Sequence, residues 1–146
     1  MPKIQLLWFG REGKDPAMAV VREYESRITH FTRFERICLP EERCSDEKII
    51  KALGNTSVIV GLDERGIAMS SEDLGKRVQT WESHSVPLVT FVIGGSYGLP
   101  PIVQQKATFL MSLGPMTLPH RLAQAVLCEQ IYRAYTLVRG LPYHHS

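Results

Sequence analysis

Two periods of apolar residues alternate along this chain. Short continuous apolar runs predict buried strands at Ile4 to Phe9, Phe34 to Leu39, Ser57 to Leu62, Leu88 to Ile93 and Thr108 to Leu113. Between them lie stretches with helical spacing. Asp15-Pro16 reads as an N-cap with proline at the first helical position, opening a helix to about Thr29 with Ala17, Val20, Val21, Tyr24 and Ile28 on one face. Ser45 caps a short helix carrying Ile49, Ile50 and Leu53, closed by Gly54-Asn55. Ser70 or Ser71 caps another, with Leu74 and Val78 inward. Pro101 to Lys106 predicts one or two helical turns, and a long helix runs from about Pro119 to Arg139, ended by Gly140.

This repeated strand-helix alternation with short connections predicts an α/β fold with a mostly parallel sheet flanked by helices. No linker, internal repeat or low-complexity segment interrupts it, so residues 1–146 read as one domain. The long helix departs from simple amphipathicity. Leu122, Val126, Leu127, Ile131, Tyr132, Tyr135 and Val138 cover much of its circumference. Such a helix needs a second surface to bury against, either a second subunit or another part of the same chain.

Composition narrows the picture only slightly. Apolar residues make up 44% of the 146 residues and charged residues 22%, an ordinary globular balance. The net charge of +2 neither announces nucleic-acid binding nor excludes a local basic patch. Arg11, Lys14, Arg22, Lys76, Arg77, Arg121, Arg133 and Arg139 are available for phosphate contacts, although each singly reads as a solvated charge. Cys38, Cys44 and Cys128 form no C-x-x-C pair, which argues against a disulfide framework or a zinc site and for a reducing, cytoplasmic setting. The first apolar run is too short for a signal-peptide core or a membrane span.

Four segments carry candidate chemistry. Phe91-Val92-Ile93-Gly94-Gly95-Ser96-Tyr97-Gly98-Leu99-Pro100 brings a strand end into a glycine loop, where ligands of α/β sheets bind. The glycines suit either close approach by a ligand or a tight turn needing positive φ. Leu113-Gly114-Pro115-Met116-Thr117-Leu118-Pro119-His120 is an uncharged loop between a strand and the long helix, offering backbone polar groups and apolar side chains. That pairing suits an adenine ring and a thioether better than a phosphate. Leu62-Asp63-Glu64-Arg65-Gly66 is predicted as a turn at a strand end, where Asp63 holds a ribose or merely faces solvent. The tail Tyr143-His144-His145-Ser146 carries groups suited to proton transfer, or is a frayed end.

Taken together, these segments resemble one family. The glycine loop 91–98, Met116-Thr117-Leu118-Pro119-His120, Glu129-Gln130-Ile131-Tyr132-Arg133-Ala134 and Tyr143-His144 occur in the order and spacing of the RlmH family. Those are bacterial 23S ribosomal RNA pseudouridine N3-methyltransferases of the SPOUT superfamily. The resemblance covers the whole chain and is densest from Val58 onward.

The resemblance implies a C-terminal trefoil knot holding a bent S-adenosylmethionine, and a homodimer joined partly through the last helix. It implies cofactor contacts at Leu62, Gly94, Leu113, Gly114, Pro115, Met116, Thr117 and Leu118, with Gly95 shaping the same wall. It places Tyr143 and His144 near the target base, where the family commonly continues with Arg or Lys and this chain has His145. His144, assisted by Tyr143 or His145, is then the expected proton acceptor, with Arg133, Arg139 and His120 on the RNA side. The implied substrate is 23S ribosomal RNA in the assembled ribosome. Two competing expectations are a cofactor-binding ribosomal module without catalysis and a SPOUT enzyme acting on transfer RNA.

Overall fold

A computed structural model describes residues 2–145, so Ser146 at the end of the tail lies outside it. Five strands and five helices follow in the order β1 (Lys3–Phe9), α1 (Pro16–Ile28), β2 (Phe34–Leu39), α2 (Asp46–Leu53), β3 (Val58–Ala68), α3 (Ser71–Ser83), β4 (Leu88–Ile93), α4 (Pro101–Lys106), β5 (Phe109–Ser112) and α5 (His120–Arg139). The strands form one sheet in the order β2-β1-β4-β3-β5, and every pairing is parallel. All five carboxyl ends therefore open onto the same edge.

Local chemistry fixes the helix starts. Asp15 Oδ1 accepts the Ala17 N–H at 2.9 Å, with Pro16 pre-set for the first turn. Ser45 accepts from the Lys48 N–H. Ser70, not Ser71, is the third cap, because Asp73 answers it in a reciprocal capping box. Gly140 ends α5 at φ +68, a left-handed conformation that a side chain would disfavour.

Successive sheet residues alternate between two cores, as strand geometry requires. Leu6, Trp8, Phe91 and Ile93 face α1, α3 and α5, where they meet Met18, Val21, Leu74, Val78 and Ile131. Leu7, Phe9 and Val92 face α2 and α4, meeting Ile49, Leu53 and Val103. The last helix packs between α1 and α3 over the sheet. Within one chain it buries Leu127, Cys128, Ile131, Ala134 and Tyr135, while Leu122 stays exposed and Val126, Tyr132 and Val138 are half-buried.

One boundary differs from expectation. The third strand does not stop at Leu62 but continues to Ala68. Residues 63–66 swing out as a bulge, and both Leu62 and Ile67 register against Met111 of β5. Gly66 makes the return possible, since a Cβ there would lie 2.6 Å from the Leu110 carbonyl group. The polar run that looked like a strand end is an excursion within a strand.

Candidate functional site

The carboxyl ends of β4, β3 and β5 enclose a cleft of about 610 Å³. Three distant segments build it: Leu62 to Arg65 on the bulge, Ile93 to Leu99 after β4, and Leu113 to His120 before α5. It brings together the expected Leu62, Gly94, Gly95, Leu113, Gly114, Met116, Thr117, Leu118 and His120. Pro115 is exposed and is not among the lining residues.

Each wall is held by identifiable bonds. The Gly98 N–H donates to the Gly95 carbonyl at 3.1 Å, folding the glycine loop on itself. The positive φ, +79, falls on Gly98, whereas a Cβ on Gly94 would overlap the backbone of Gly98 and Leu99. A Cβ on Gly95 would strike the Glu41 carboxylate, which accepts the Ser96 N–H. On the facing wall, Ser112 Oγ donates to the Gly114 carbonyl at 2.9 Å and accepts the Gly114 N–H at 3.0 Å. The two walls meet where Thr117 Oγ1 donates to Glu64 Oε2 at 2.9 Å. Sequence reasoning did not find Glu41, which sits in no motif, and it held Glu64 only as a member of the segment 62–66, with no role of its own. Each meets its partner only through tertiary folding.

This lining has a definite chemical character. Leu62, Leu113 and Leu118 offer apolar faces, and the Cβ positions of Gly98 and Gly114 face open space. The Asp63 and Glu64 carboxylates lie on the bulge side. The Arg65 guanidinium, helped by the Arg65 backbone N–H, holds the Asp63 carboxyl below the usual carboxylate range. Apolar walls, unfilled space beside glycines and a pair of carboxylates fit a ligand with a flat ring, hydroxyls and cationic centres, such as S-adenosylmethionine. Tyr97 and Met116, 92% and 80% exposed, stand on the two loops that frame the opening. Among the described residues, no group of three or more His, Cys, Asp or Glu is arranged to hold a metal ion.

The tail residues are not at this cleft. His120 opens α5 at the cleft, and Arg133 lies thirteen residues further on, about 20 Å along the axis. There Arg133 Nη1 donates to His144 Nδ1 at 3.0 Å, and His144 Nε2 lies 2.7 Å from Glu72 Oε1. The Tyr143 hydroxyl donates to Glu129 Oε2 at 2.8 Å and lies 3.2 Å from the Tyr24 hydroxyl. Burial, then these partners, push the Tyr143 phenol well above its ordinary range. The Arg133 guanidinium stacks 4.7 Å from the Tyr143 ring centre and pairs with Glu129. Arg139 holds Glu82 through two bonds of 2.9 Å. His145 is exposed. Within one chain, Tyr143, His144, His145, Arg133 and Arg139 therefore cluster at the far end of α5 from the cleft that contains His120.

Comparison with known proteins bears on the whole chain. The family described as "Predicted SPOUT methyltransferase" matches residues 2–144. A protein of Nitratidesulfovibrio vulgaris named ribosomal RNA large subunit methyltransferase H is 36% identical over the full length of both chains. The protein of that name from Streptococcus suis is 32% identical, covering 97% of this chain and 99% of its own. Among solved structures, a probable methyltransferase from Bordetella pertussis superposes with a TM-score of 0.60 at 12% identity, over 91% of this chain and 96% of that one. A SpoU methyltransferase from Streptomyces viridochromogenes, in complex with AdoMet, gives 0.52 at 12% identity over 90% of this chain and 57% of that one. At such identities the structures establish the shared fold.

Proposed function

The chain belongs to the SPOUT methyltransferase family, and on that premise we propose that it methylates N3 of a pseudouridine in large-subunit ribosomal RNA. It is an S-adenosylmethionine-dependent methyltransferase. The observation that carries the substrate reading is the full-length similarity to proteins named ribosomal RNA large subunit methyltransferase H, together with a cleft in which the three loop segments meet.

The bound cofactor supplies an electrophilic methyl group on a sulfonium. Leu62, Gly94, Gly95, Leu113, Gly114, Pro115, Met116, Thr117 and Leu118 are the residues assigned to holding it. Leu62, Leu113 and Leu118 would offer the cofactor apolar surface, and the Asp63–Glu64 side would accept hydrogen bonds from its hydroxyl or ammonium groups. The family's knot is part of the reading, with the segments 93–99 and 113–120 as its cofactor loops.

The acceptor N3 carries a proton and becomes a good nucleophile only as that proton leaves. His144, with Tyr143 and His145, is assigned to that proton's route, and Arg133 and Arg139 to the RNA side, with His120 at the cleft itself. The separation of about 20 Å along α5 means that the tail serves a cleft only if a second copy of the chain brings it there. Homodimerisation is thus required by this reading. The working setting is the ribosome in the cytoplasm, where ribosomal surface adds docking area that so small a domain lacks. No helix among the described residues is long and apolar enough to cross a membrane.

The deciding experiment is methyl transfer from tritiated cofactor to ribosomes lacking the modification, followed by nucleoside mass analysis. Label in N3-methylpseudouridine of the large subunit is expected. Label in transfer RNA instead, or cofactor binding without transfer to any ribosomal particle, would overturn the proposal.

A further inference from the structure

Between Arg133 and Tyr143, at the far end of α5 from the cleft, sits the Glu129 carboxylate, one helical turn before Arg133. It receives four hydrogen bonds. Oε1 accepts from Gln130 Nε2 at 2.7 Å and from Arg133 Nε at 3.3 Å. Oε2 accepts from Arg133 Nη2 at 2.5 Å and from the Tyr143 hydroxyl at 2.8 Å. A carboxylate offers about four lone-pair sites, so all of them are taken. The Ser71 hydroxyl, at the start of α3, donates to Gln130 Oε1 at 2.6 Å and so turns the Gln130 amide toward Glu129. A carboxylate saturated in this way has no site left for a substrate proton, an RNA donor or a cation. Its chemistry is to hold its neighbours still.

Those neighbours are held unequally. The Tyr143 hydroxyl lies between Glu129 and the Tyr24 hydroxyl. Its ring meets Tyr132 edge-on at 4.8 Å and has the Arg133 guanidinium 4.7 Å from its centre. His144, the next residue, is tied through its two ring nitrogens, one to Arg133 and one to Glu72, whose side chain is 47% exposed. A pair on so exposed a carboxylate holds weakly. The tail thus has a fixed residue beside a releasable one.

We propose that Glu129 is the positioning residue of the tail. It clamps Tyr143 and Arg133 together, so that His144 pivots on a fixed point when it leaves Glu72 for the substrate imide. Consecutive Cα atoms lie about 3.8 Å apart, so a His144 released beside a clamped Tyr143 sweeps a short arc. Beside a loose Tyr143 it samples the wide range of a chain end. Tyr143 serves as a donor in this clamp, and its part in the proton's route is to keep the imidazole in place. The assignment rests on the function proposed above, in which the tail of one protomer meets the cleft of its partner.

The test uses the full-length enzyme on ribosomes lacking the modification. It compares wild type with Glu129→Gln, Glu129→Ala, His144→Ala and the E129A/H144A double variant. Affinity for S-adenosylmethionine is measured calorimetrically on each, and folding by thermal melting. E129A is expected to lower kcat about 10²-fold, the scale for a reacting group misplaced by about 1 Å, with KM for the particle and cofactor affinity within about twofold of wild type. Glutamine keeps one acceptor oxygen and loses the charge, so E129Q is expected to lose less, about tenfold. The cycle with His144 separates positioning from scaffolding. A residue that acts through His144 has nothing left to position in H144A, so adding E129A there is expected to change kcat by less than about twofold. The same fold-loss in both backgrounds overturns the assignment, as a general structural role would give it. Wild-type kcat in E129Q and E129A overturns it too. So does a raised KM at unchanged kcat, which would place Glu129 against the RNA, or a parallel loss of cofactor affinity. Each of these outcomes leaves the methyl transfer of the wild type standing. A wild-type enzyme that labels no ribosomal particle overturns the function proposed above, and this assignment with it.

Discussion

Arg133 donates a hydrogen bond to His144 Nδ1 at 3.0 Å, and that bond decides which form of the imidazole the tail carries. A guanidinium only donates, so Nδ1 must be the lone-pair nitrogen. The ring proton then sits on Nε2, which donates to Glu72 Oε1 at 2.7 Å. In this docked position His144 has no lone pair left for a substrate proton. If it acts on the imide, it does so after leaving Arg133 and Glu72.

His144→Ala is therefore expected to lower methyl transfer to ribosomes by about 10²-fold or more, the usual scale for a lost proton-transfer group. Affinity for S-adenosylmethionine is expected to stay at the wild-type value, because the docked tail is about 20 Å from the cleft of its own chain. Single-turnover transfer and calorimetry read the two effects separately. A fully active H144A enzyme removes the tail from the mechanism.

A second prediction concerns the two cofactor walls. Gly94 has no space for a Cβ, because the Gly98 and Leu99 backbone occupies it, whereas at Gly114 nothing lies within 4 Å. Gly94→Ala is expected to displace the whole glycine loop and destabilise the fold by about 1–3 kcal/mol, the cost of overpacking. Gly114→Ala meets no neighbour but holds φ at +135, so its cost is backbone strain of about 1–3 kcal/mol confined to that loop. Both should weaken cofactor binding and lower the melting temperature, but only G94A should also expose Leu99. Equal melting temperatures for G94A and wild type would count against this account of the glycine loop.

That contrast shows how far the sequence could be read. The apolar runs located all five strands, and the capping residues located the starts of α1, α2 and α3, since both signals are local. The glycine loop was found for a reason that is only half right. Gly94 is needed by the chain's own backbone and Gly95 by the Glu41 carboxylate, 54 residues away in sequence. The bulge in β3 was missed because a polar run at 63–65 hides a strand whose pairing resumes on β5. The tail motif was visible, but a linear spacing cannot say that Tyr143 and His144 dock against Glu129, Arg133 and Glu72 rather than the cleft.

Acid should act partly through Glu82. Its two bonds to Arg139, at 2.9 Å each, hold its carboxyl below the ordinary 4.5. A carboxyl lowered in the folded state contributes stability that is fully present above its unfolded value. That contribution fades as pH falls through the folded value. Glu82→Gln is expected to cost about 1 kcal/mol at neutral pH, the scale for a well-formed, partly buried pair. The gap between variant and wild type should close progressively below about pH 4.5, as seen in urea titrations across that range. A gap that widened on acidification would show that another group governs this end of α5.

Gln124 offers the last prediction, in stability rather than catalysis. It is fully buried on α5, and neither its Oε1 nor its Nε2 has a hydrogen-bond partner among the described residues. Each unmade bond of a buried amide costs about 1–3 kcal/mol, and an apolar side chain of similar volume carries no such cost. Methionine matches glutamine in length and flexibility, so it should fill the site without forcing a new rotamer. Gln124→Met is expected to stabilise the protein by about 1–2 kcal/mol, read as a higher urea midpoint at unchanged slope. A destabilised Q124M with normal slope would mean that the amide is satisfied in solution, by an internal water or by a group brought from a second subunit. Concentration dependence of that loss would tell the two apart, because only a subunit contact weakens on dilution.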